Sequence, residues 1–277
     1  MQTKHVLKQY LRNTDFSNNK KSRIGIKMIK ILLSGCFGRM GHAVLEATHG
    51  SNMTVISGTD INAGQSNFPV YAKISDAAEL PDVIIDFSHH TALPDIMDYA
   101  VKNNIPCVIC TTGHTDEEYE IMRKASENVP VFFSRNMSLG VNLLIALCKK
   151  ASAALGMDYD VEIIEKHHHN KLDAPSGTAL MIADAISDTR AESEYIYDRS
   201  GVRKKREPRE IGISAIRGGS IIGEHEVLFA GKDEVLTISH SASSRELFAT
   251  GALRAAEFII GKPAGMYNMD NMFEGII

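Results

Sequence analysis

The sequence predicts an α/β protein: a parallel sheet with helices on both faces, followed by a smaller α+β unit. Three observations predict it. Between Met28 and Phe133, short apolar runs of strand length alternate with longer stretches whose apolar residues recur at helical spacing. The first strand-like run opens into a turn carrying three glycines and then a helix. After residue 138 the alternation stops, and strand-like runs joined by a hairpin turn take over. A chain of 277 residues has ample length for one large or two modest domains.

Composition narrows the class. A hydrophobic fraction of 44% and a charged fraction of 23% are those of an ordinary globular protein, and a net charge of −4 argues against nucleic-acid binding. No apolar run reads as a membrane span or a signal-peptide core. Four cysteines in this length give no disulfide framework, so the expected location is the reducing cytoplasm. Cys107-Val108-Ile109-Cys110 spells C-x-x-C, but in a strand residues three apart face opposite sides, which predicts two buried structural thiols.

Residues 1–27 carry seven Lys or Arg and one acid, Asp15, and read as a disordered N-terminal extension. Met28 to Leu33 is the first buried strand. Gly35-Cys36-Phe37-Gly38-Arg39-Met40-Gly41 follows, and then the helical run Ala43 to Ala47. Strand, glycine turn and helix is the Rossmann-like arrangement that sets pyrophosphate on a helix N-terminus. The spacing here is G-x-x-G-x-x-G, with Phe37 where the usual middle glycine stands. A second strand, Met53 to Ser57, ends near Asp60, 25 positions beyond Gly35. A carboxylate there accepts hydrogen bonds from an adenosine ribose and repels a 2′-phosphate. Ile61, next in line, offers no cation, so NADH is favoured over NADPH; Arg39 keeps dual use open.

Strands follow at Asp82–Phe87, Cys107–Cys110 and Val129–Phe133, with helices at 91–103 and 116–127, the second capped by Thr115 or Asp116. Ligands of parallel sheets collect at the carboxyl ends of the strands. The turns Ser88-His89-His90, Thr111-Thr112-Gly113 and Ser134-Arg135-Asn136-Met137 all fall there and mark one rim. A long apolar helix begins at Ser138-Leu139-Gly140.

Glu165 to Leu180 is the densest stretch of chemistry. The strand-like run Val161 to Ile164 leads in, and the helical run Ala179 to Ile186 leads out. Pro175 suits the first helical turn, with Asp173 or Ser176 as its cap. Backbone N–H groups at Ser176, Gly177 and Thr178 would then face an anion. Imidazoles as a class titrate near neutral pH, which makes His167, His168 and His169 candidate proton donors, and Lys171 supplies a fixed cation. One strand-to-helix loop thus offers a proton donor, a cation and an anion cradle, which suits a small acidic substrate that must be protonated. No Cys or Glu partner stands at metal-ligand spacing, so no metal is expected.

Thr189 to Glu210 is charged and weakly patterned and reads as a long solvated loop. Strands follow at 212–217, 223–230 and 235–240, the last two closed into a hairpin by Gly231-Lys232-Asp233-Glu234. Ser243 to Glu246 caps a final helix that runs to Ile260 and can return to the first unit. The expected division is an extension 1–27, a dinucleotide-binding domain 28–137, a substrate-binding and oligomerisation domain 138–245, and a returning helix and tail 246–277.

On these residues the chain resembles the 4-hydroxy-tetrahydrodipicolinate reductase family. The resemblance rests on Glu165-Lys166-His167-His168-His169-Asn170-Lys171-Leu172-Asp173-Ala174-Pro175-Ser176-Gly177-Thr178-Ala179. The glycine turn, Thr111-Thr112-Gly113 and Gly223-Glu224-His225 extend it, and it runs from Met28 to the C-terminus. The resemblance implies reduction of a cyclic dicarboxylate by NADH or NADPH with loss of water, in the diaminopimelate route to lysine, by a homotetramer. It also implies roles: His167 as proton donor, Lys171 as catalytic lysine, and His168, Ser176, Gly177 and Thr178 as substrate contacts. Gly35, Cys36, Phe37, Gly38, Arg39, Met40, Asp60, Thr111, Thr112, Gly113, Ser134, Arg135, Asn136 and Met137 are implied as cofactor contacts. The rival readings are another NAD-dependent amino- or keto-acid dehydrogenase and a dinucleotide-sensing regulator; neither calls for this histidine–lysine loop.

Overall fold

A computed structural model describes residues 27–62 and 64–275. The predicted extension lies outside the described residues except for Lys27, whose ammonium pairs with Asp82 at 2.9 Å.

Seven parallel strands form the first sheet: β1 (Ile29–Ser34), β2 (Met53–Thr59), β3 (Val70–Tyr71), β4 (Val83–Asp86), β5 (Cys107–Ile109), β6 (Pro130–Phe133) and, from the far end of the chain, β12 (Gly265–Tyr267). Their order is β12-β6-β5-β4-β1-β2-β3, so the winding reverses between β1 and β4. That reversal opens the crevice at the carboxyl ends where ligands of such sheets sit. Strand alternation splits the apolar residues into two cores. Ile31 and Leu33 face one side, with α1 (Arg39–Thr48) and α6 (Glu246–Ile259); Leu32 faces the other, with α2 (Leu93–Asn103) and α3 (Asp116–Ala125). Cys107 and Cys110 fall into opposite cores, and all four cysteines are free and buried. Helix α3 starts on a reciprocal cap: Thr115 Oγ1 accepts the Glu118 N–H at 3.3 Å and Glu118 accepts the Thr115 N–H at 2.9 Å.

The second sheet runs β11-β10-β7-β9-β8. It comprises β7 (Asp160–His167), β8 (Glu194–Ile196), β9 (Glu210–Arg217), β10 (Gly223–Ala230) and β11 (Val235–Ala242). β10 is antiparallel to both neighbours, and the β7–β9 and β8–β9 pairs are parallel. Helices α4 (Leu139–Leu155) and α5 (Gly177–Ser187) cover one face through Leu144, Cys148, Ile182 and Ile186. The other face carries Ile164, Leu228 and Ile216 among charged neighbours and, among the described residues, has no helix over it.

Four expectations are corrected. The segment 189–210 is not a plain solvated loop: β8 forms within it, and Arg199 and Arg206 converge on the buried Glu210 carboxylate, which a count of charges reads only as polarity. The tail after Pro263 adds the three-residue edge strand β12 and the short helix α7 (Met269–Phe273). Leu139–Asp158 is, by length and composition, apolar enough to cross a membrane, contrary to the sequence reading. It is apolar on several sides because Leu139 packs on the first core while Leu144 and Cys148 pack on the third. Finally, β7 continues past Ile164 to His167, so the first histidine sits on a strand and not in a loop.

Helix α6 packs small residues, Ala249, Ala252, Ala255 and Ala256, against the first core. A Cβ on Gly251 would stand 1.6 Å from the Met137 carbonyl oxygen, so the helix crosses the junction of the two units at backbone contact.

Candidate active site

The glycine turn is built for close approach. Gly35 has φ +77°, and a Cβ there would meet the Phe87 carbonyl at 2.7 Å; one on Gly41 would meet the Gly35 carbonyl at 2.3 Å. Gly38 is the N-cap of α1 and brings no side chain to the cap. The N–H groups of Arg39 and Met40 have no protein partner among the described residues, so the turn fits a pyrophosphate. Cys36 presents only backbone here: its thiol lies in the core, pushed up to about 11 by burial and by Asp60. Asp60 closes the turn. Its Oδ2 accepts the Phe37 N–H at 3.0 Å, and its Oδ1 accepts the N–H and amide of Asn62 at 2.9 and 3.2 Å.

Two cavities run along this rim. One, of about 510 Å³, is lined by Gly35, Gly38, Asp60, Lys73 and Phe87. The other, of about 360 Å³, is lined from the first unit by Met40, Phe87, Cys110, Arg135, Asn136 and Met137. The second unit contributes His167, His168, Lys171 and Thr178 to it. Phe87 borders both. A larger cavity, about 950 Å³, lies beyond Phe37 against His42 and His49 and shares only Phe37 with the predicted site.

The rim turns divide. Arg135, Asn136 and Met137 reach the cavity; Thr112, Gly113 and Ser134 line neither. Thr111 is turned inward, donating to Asp86 Oδ2 at 2.6 Å. Asp86 Oδ1 in turn accepts from Ser88 N–H and Oγ at 3.1 and 2.5 Å, so this buried carboxylate ties the ends of β4 and β5. The Ser134 hydroxyl donates to the Asn136 carbonyl at 2.8 Å. Asn136 bridges the units, its amide donating to Thr178 Oγ1 at 3.0 Å.

His167 is held from behind. Its Nδ1 lies 2.5 Å from Glu165 Oε2, which leaves Nε2 as the nitrogen open to the cavity. Glu165 is fully buried and takes a fork from Arg217 at 2.8 and 2.7 Å and the Ser176 N–H at 3.0 Å. Burial alone would raise its pKa, but Arg217, His167 and the Ser176 amide outweigh it and hold the carboxyl below its ordinary range. The pKa of His167 is lowered by burial, with Lys171 and Arg217 adding to the effect, while Glu165 pulls the other way. Behind it, His225 sits 5.3 Å away ring to ring, its pKa lowered to about 4 by burial and then by His167. The sequence offered a signal for Glu165, two residues before His167 on the same strand face. Arg217, 52 positions away, had none.

The helix start differs from expectation. Pro175 precedes the helix, and Ser176 is the N-cap, its buried Oγ accepting the Ala179 N–H at 3.2 Å and touching His225 Nε2 at 3.2 Å. The Ser176 N–H is already spent on Glu165, which removes Ser176 from the expected cradle. Gly177 and Thr178 remain. A Cβ on Gly177 would meet nothing within 4 Å, so that turn is open. Lys171 Nζ pairs with Asp173 at 2.8 Å, and the Asp173 carboxyl is lowered mainly by that lysine, with the Gly177 N–H contributing. This is an anion site filled by the chain's own half-exposed aspartate. Among the described residues no three His, Cys, Asp or Glu side chains gather as a metal site.

Comparison with known proteins fits this geometry. Family models described as the N-terminus and the C-terminus of dihydrodipicolinate reductase match residues 29–137 and 140–273. A relative from Caldanaerobacter subterraneus subsp. tengcongensis, 4-hydroxy-tetrahydrodipicolinate reductase, is 50% identical over 247 residues, covering 88% of this chain and 98% of the relative. One of the same name from Clostridium tetani is 47% identical, covering 88% and 97%. Among solved structures, a dipicolinate-bound dihydrodipicolinate reductase from Paenisporosarcina sp. TG-14 superposes with a TM-score of 0.75 at 25% identity, covering 88% of this chain and 99% of that one. A probable dehydrogenase from Thermotoga maritima, TM-score 0.57 at 11% identity, shares the fold. By both halves and by its relatives, the chain belongs to the dihydrodipicolinate reductase family.

Proposed function

We propose that this chain reduces 4-hydroxy-tetrahydrodipicolinate to tetrahydrodipicolinate with loss of water, using a nicotinamide dinucleotide, on the diaminopimelate route to lysine. The single observation that carries the reading is the cavity of about 360 Å³ where His167, Lys171 and the start of α5 meet Met40, Asn136 and Met137 from the glycine-turn side. The nicotinamide, when bound, supplies the hydride. The chain's own residues do the rest.

Lys171 and the N–H groups of Gly177 and Thr178 grip a substrate carboxylate, which displaces the Asp173 carboxylate from Lys171 and Gly177. His168 lines the same wall. His167 delivers a proton from Nε2 to the electron-rich ring left by reduction, while Glu165 holds Nδ1 and so fixes the ring's direction. The arriving diacid brings negative charge toward an imidazole whose pKa burial has lowered, and so favours its protonated form. Gly35, Gly38, Arg39 and Met40 seat the pyrophosphate. Asp60 serves the ribose, which favours NADH while leaving NADPH in use.

Residues 28–137 bind the dinucleotide, 138–245 bind the substrate and associate, and 246–277 return to brace the first unit. The uncovered sheet face with Ile164, Ile216 and Leu228 supports a homotetramer built through that face, since an apolar sheet face calls for cover. Four free, buried cysteines suit a cytoplasmic location.

The test is oxidation of NADH that depends on the freshly made product of the preceding synthase, with pyruvate alone as control. Oxidation with both, or with neither, removes the proposal.

A further inference from the structure

We infer that His225 is a positioning residue for the reduction: one side chain braces both the proton donor His167 and the helix start that grips the substrate carboxylate. This rests on the proposed reaction. Strand β10 runs beside β7, and alternation sends Gly223 and His225 to the covered face, the one that carries Glu165 and His167. His225 stands directly opposite Glu165. Its ring meets the His167 ring edge to face, with centroids 5.3 Å apart and planes at 74°. Its Nε2 lies 3.2 Å from Ser176 Oγ, the oxygen that caps α5 by accepting the Ala179 N–H. Gly177 and Thr178 follow that cap directly. Side chains from β7, β10 and the start of α5 thus share one contact, in which His225 is 4% and Ser176 2% exposed. Gly223 completes it. A Cβ there would stand 3.1 Å from His167 Nε2, so β10 leaves the donating nitrogen room while His225 backs the ring.

Packing alone does not account for an imidazole here. The Nδ1 of His225 is buried and has no partner among the described residues, which costs stability. An apolar side chain would fill the same space without that cost. What the imidazole adds is a nitrogen on Ser176 together with a flat ring on His167. Burial, and then His167, push its pKa down to about 4, so the ring is uncharged near neutral pH and does not repel the proton that His167 carries. The Ser176 contact fixes the cap and with it the direction of the Gly177 and Thr178 N–H groups. The ring contact fixes the angle at which His167 Nε2 enters the cavity. Carboxylate and proton are therefore set from one reference point, which is what an oriented transfer needs.

The test is a split between KM and kcat, measured on the full chain with NADH and the product of the preceding synthase. His225→Phe keeps a flat ring against His167 and drops the nitrogen on Ser176. His225→Gln, whose amide end reaches about where Nε2 stands, keeps the polar contact and drops the ring; His225→Leu drops both. Val227→Ala is the control for lost packing: Val227 lies two residues along the same face of β10, fully buried in the third core, and lines no part of the active-site cavity. The expected result for His225→Phe is a roughly three- to tenfold higher KM for the diacid with kcat near wild type. His225→Gln keeps that KM and loses about tenfold in kcat. His225→Leu shows both losses, and its comparison with His225→Gln reads the KM effect again without requiring room for a larger ring. The KM for NADH is unmoved throughout, and Val227→Ala lowers the melting temperature alone. The proposal is overturned if the Phe and Gln variants lose the same parameter or none, if the KM for NADH moves with them, or if Val227→Ala reproduces the losses. Any of these in an active wild-type background leaves the proposed reaction standing; wild type that does not turn over the synthase product overturns both.

Discussion

Replacing Glu165 by Gln removes one buried charge from behind His167 and changes little else in shape. The carboxylate is fully buried and 2.5 Å from Nδ1. At a charge separation of about 4 Å and an effective dielectric near 20, a bare carboxylate would favour the imidazolium by about 4 kcal/mol. Arg217 forks onto the same carboxylate at 2.8 and 2.7 Å and cancels much of that. What is left still favours the imidazolium, against the burial that lowers the His167 pKa. The imidazole of Glu165→Gln therefore titrates lower still. A general acid works only while protonated, so the falling limb of kcat/KM with rising pH moves to lower pH. Above the limb the variant is slower by about ten- to a hundredfold. The assay is kcat/KM from about pH 5 to 9, with nucleotide binding as the check that the site is formed. A profile that keeps its limb and only drops in height would refute the reasoning and leave Glu165 a structural role. Stability moves separately. The folded pKa of Glu165 lies below its unfolded value, so its contribution is whole above the ordinary carboxylate range and drains as pH falls through the folded value.

Three further outcomes follow from the same geometry. His167→Gln lowers kcat by on the order of a hundred- to ten-thousand-fold with NADH affinity unchanged, read by steady-state kinetics and nucleotide fluorescence. His225 carries a pKa lowered from 6.5 to about 4, so the unfolded chain binds a proton that the folded one refuses. Stability present above pH 6.5 is lost by roughly 3 kcal/mol on descent to pH 4, and His225→Gln loses less over that window in denaturant melts. Gly41→Ala forces a methyl to 2.3 Å from the Gly35 carbonyl, a backbone atom that cannot yield. It costs about 1–3 kcal/mol in thermal unfolding and weakens nucleotide binding severalfold.

What the sequence disclosed follows from range. The strand–helix alternation, a cap at Thr115 or Asp116 and the hairpin at Gly231 are set by neighbours a few residues apart; the structure has the alternation and the hairpin, and takes Thr115 as the cap. The glycine spacing was legible for the same reason. β8 and β12, three residues each, are too short to show a period. The polar network behind the histidine was half legible. Glu165 shares a strand face with His167, but Arg217 arrives from β9 by pairing no local pattern announces. Ser176 shows the ambiguity of type: a serine at a helix start serves a ligand or the helix, and here its oxygen and its N–H are both already engaged.

The backbone notch at Gly251 has a bearing on how the protein is made. Ala249, Ala252, Ala256 and Ile259 complete one side of the first sheet, and β12 completes its edge, yet all are synthesised after the whole of the second sheet. The lobe begun first is thus finished last. Until then its apolar flank is bare and its outer strand unpaired, so the nascent chain must wait, half-clothed, for the segment beyond residue 245 to arrive.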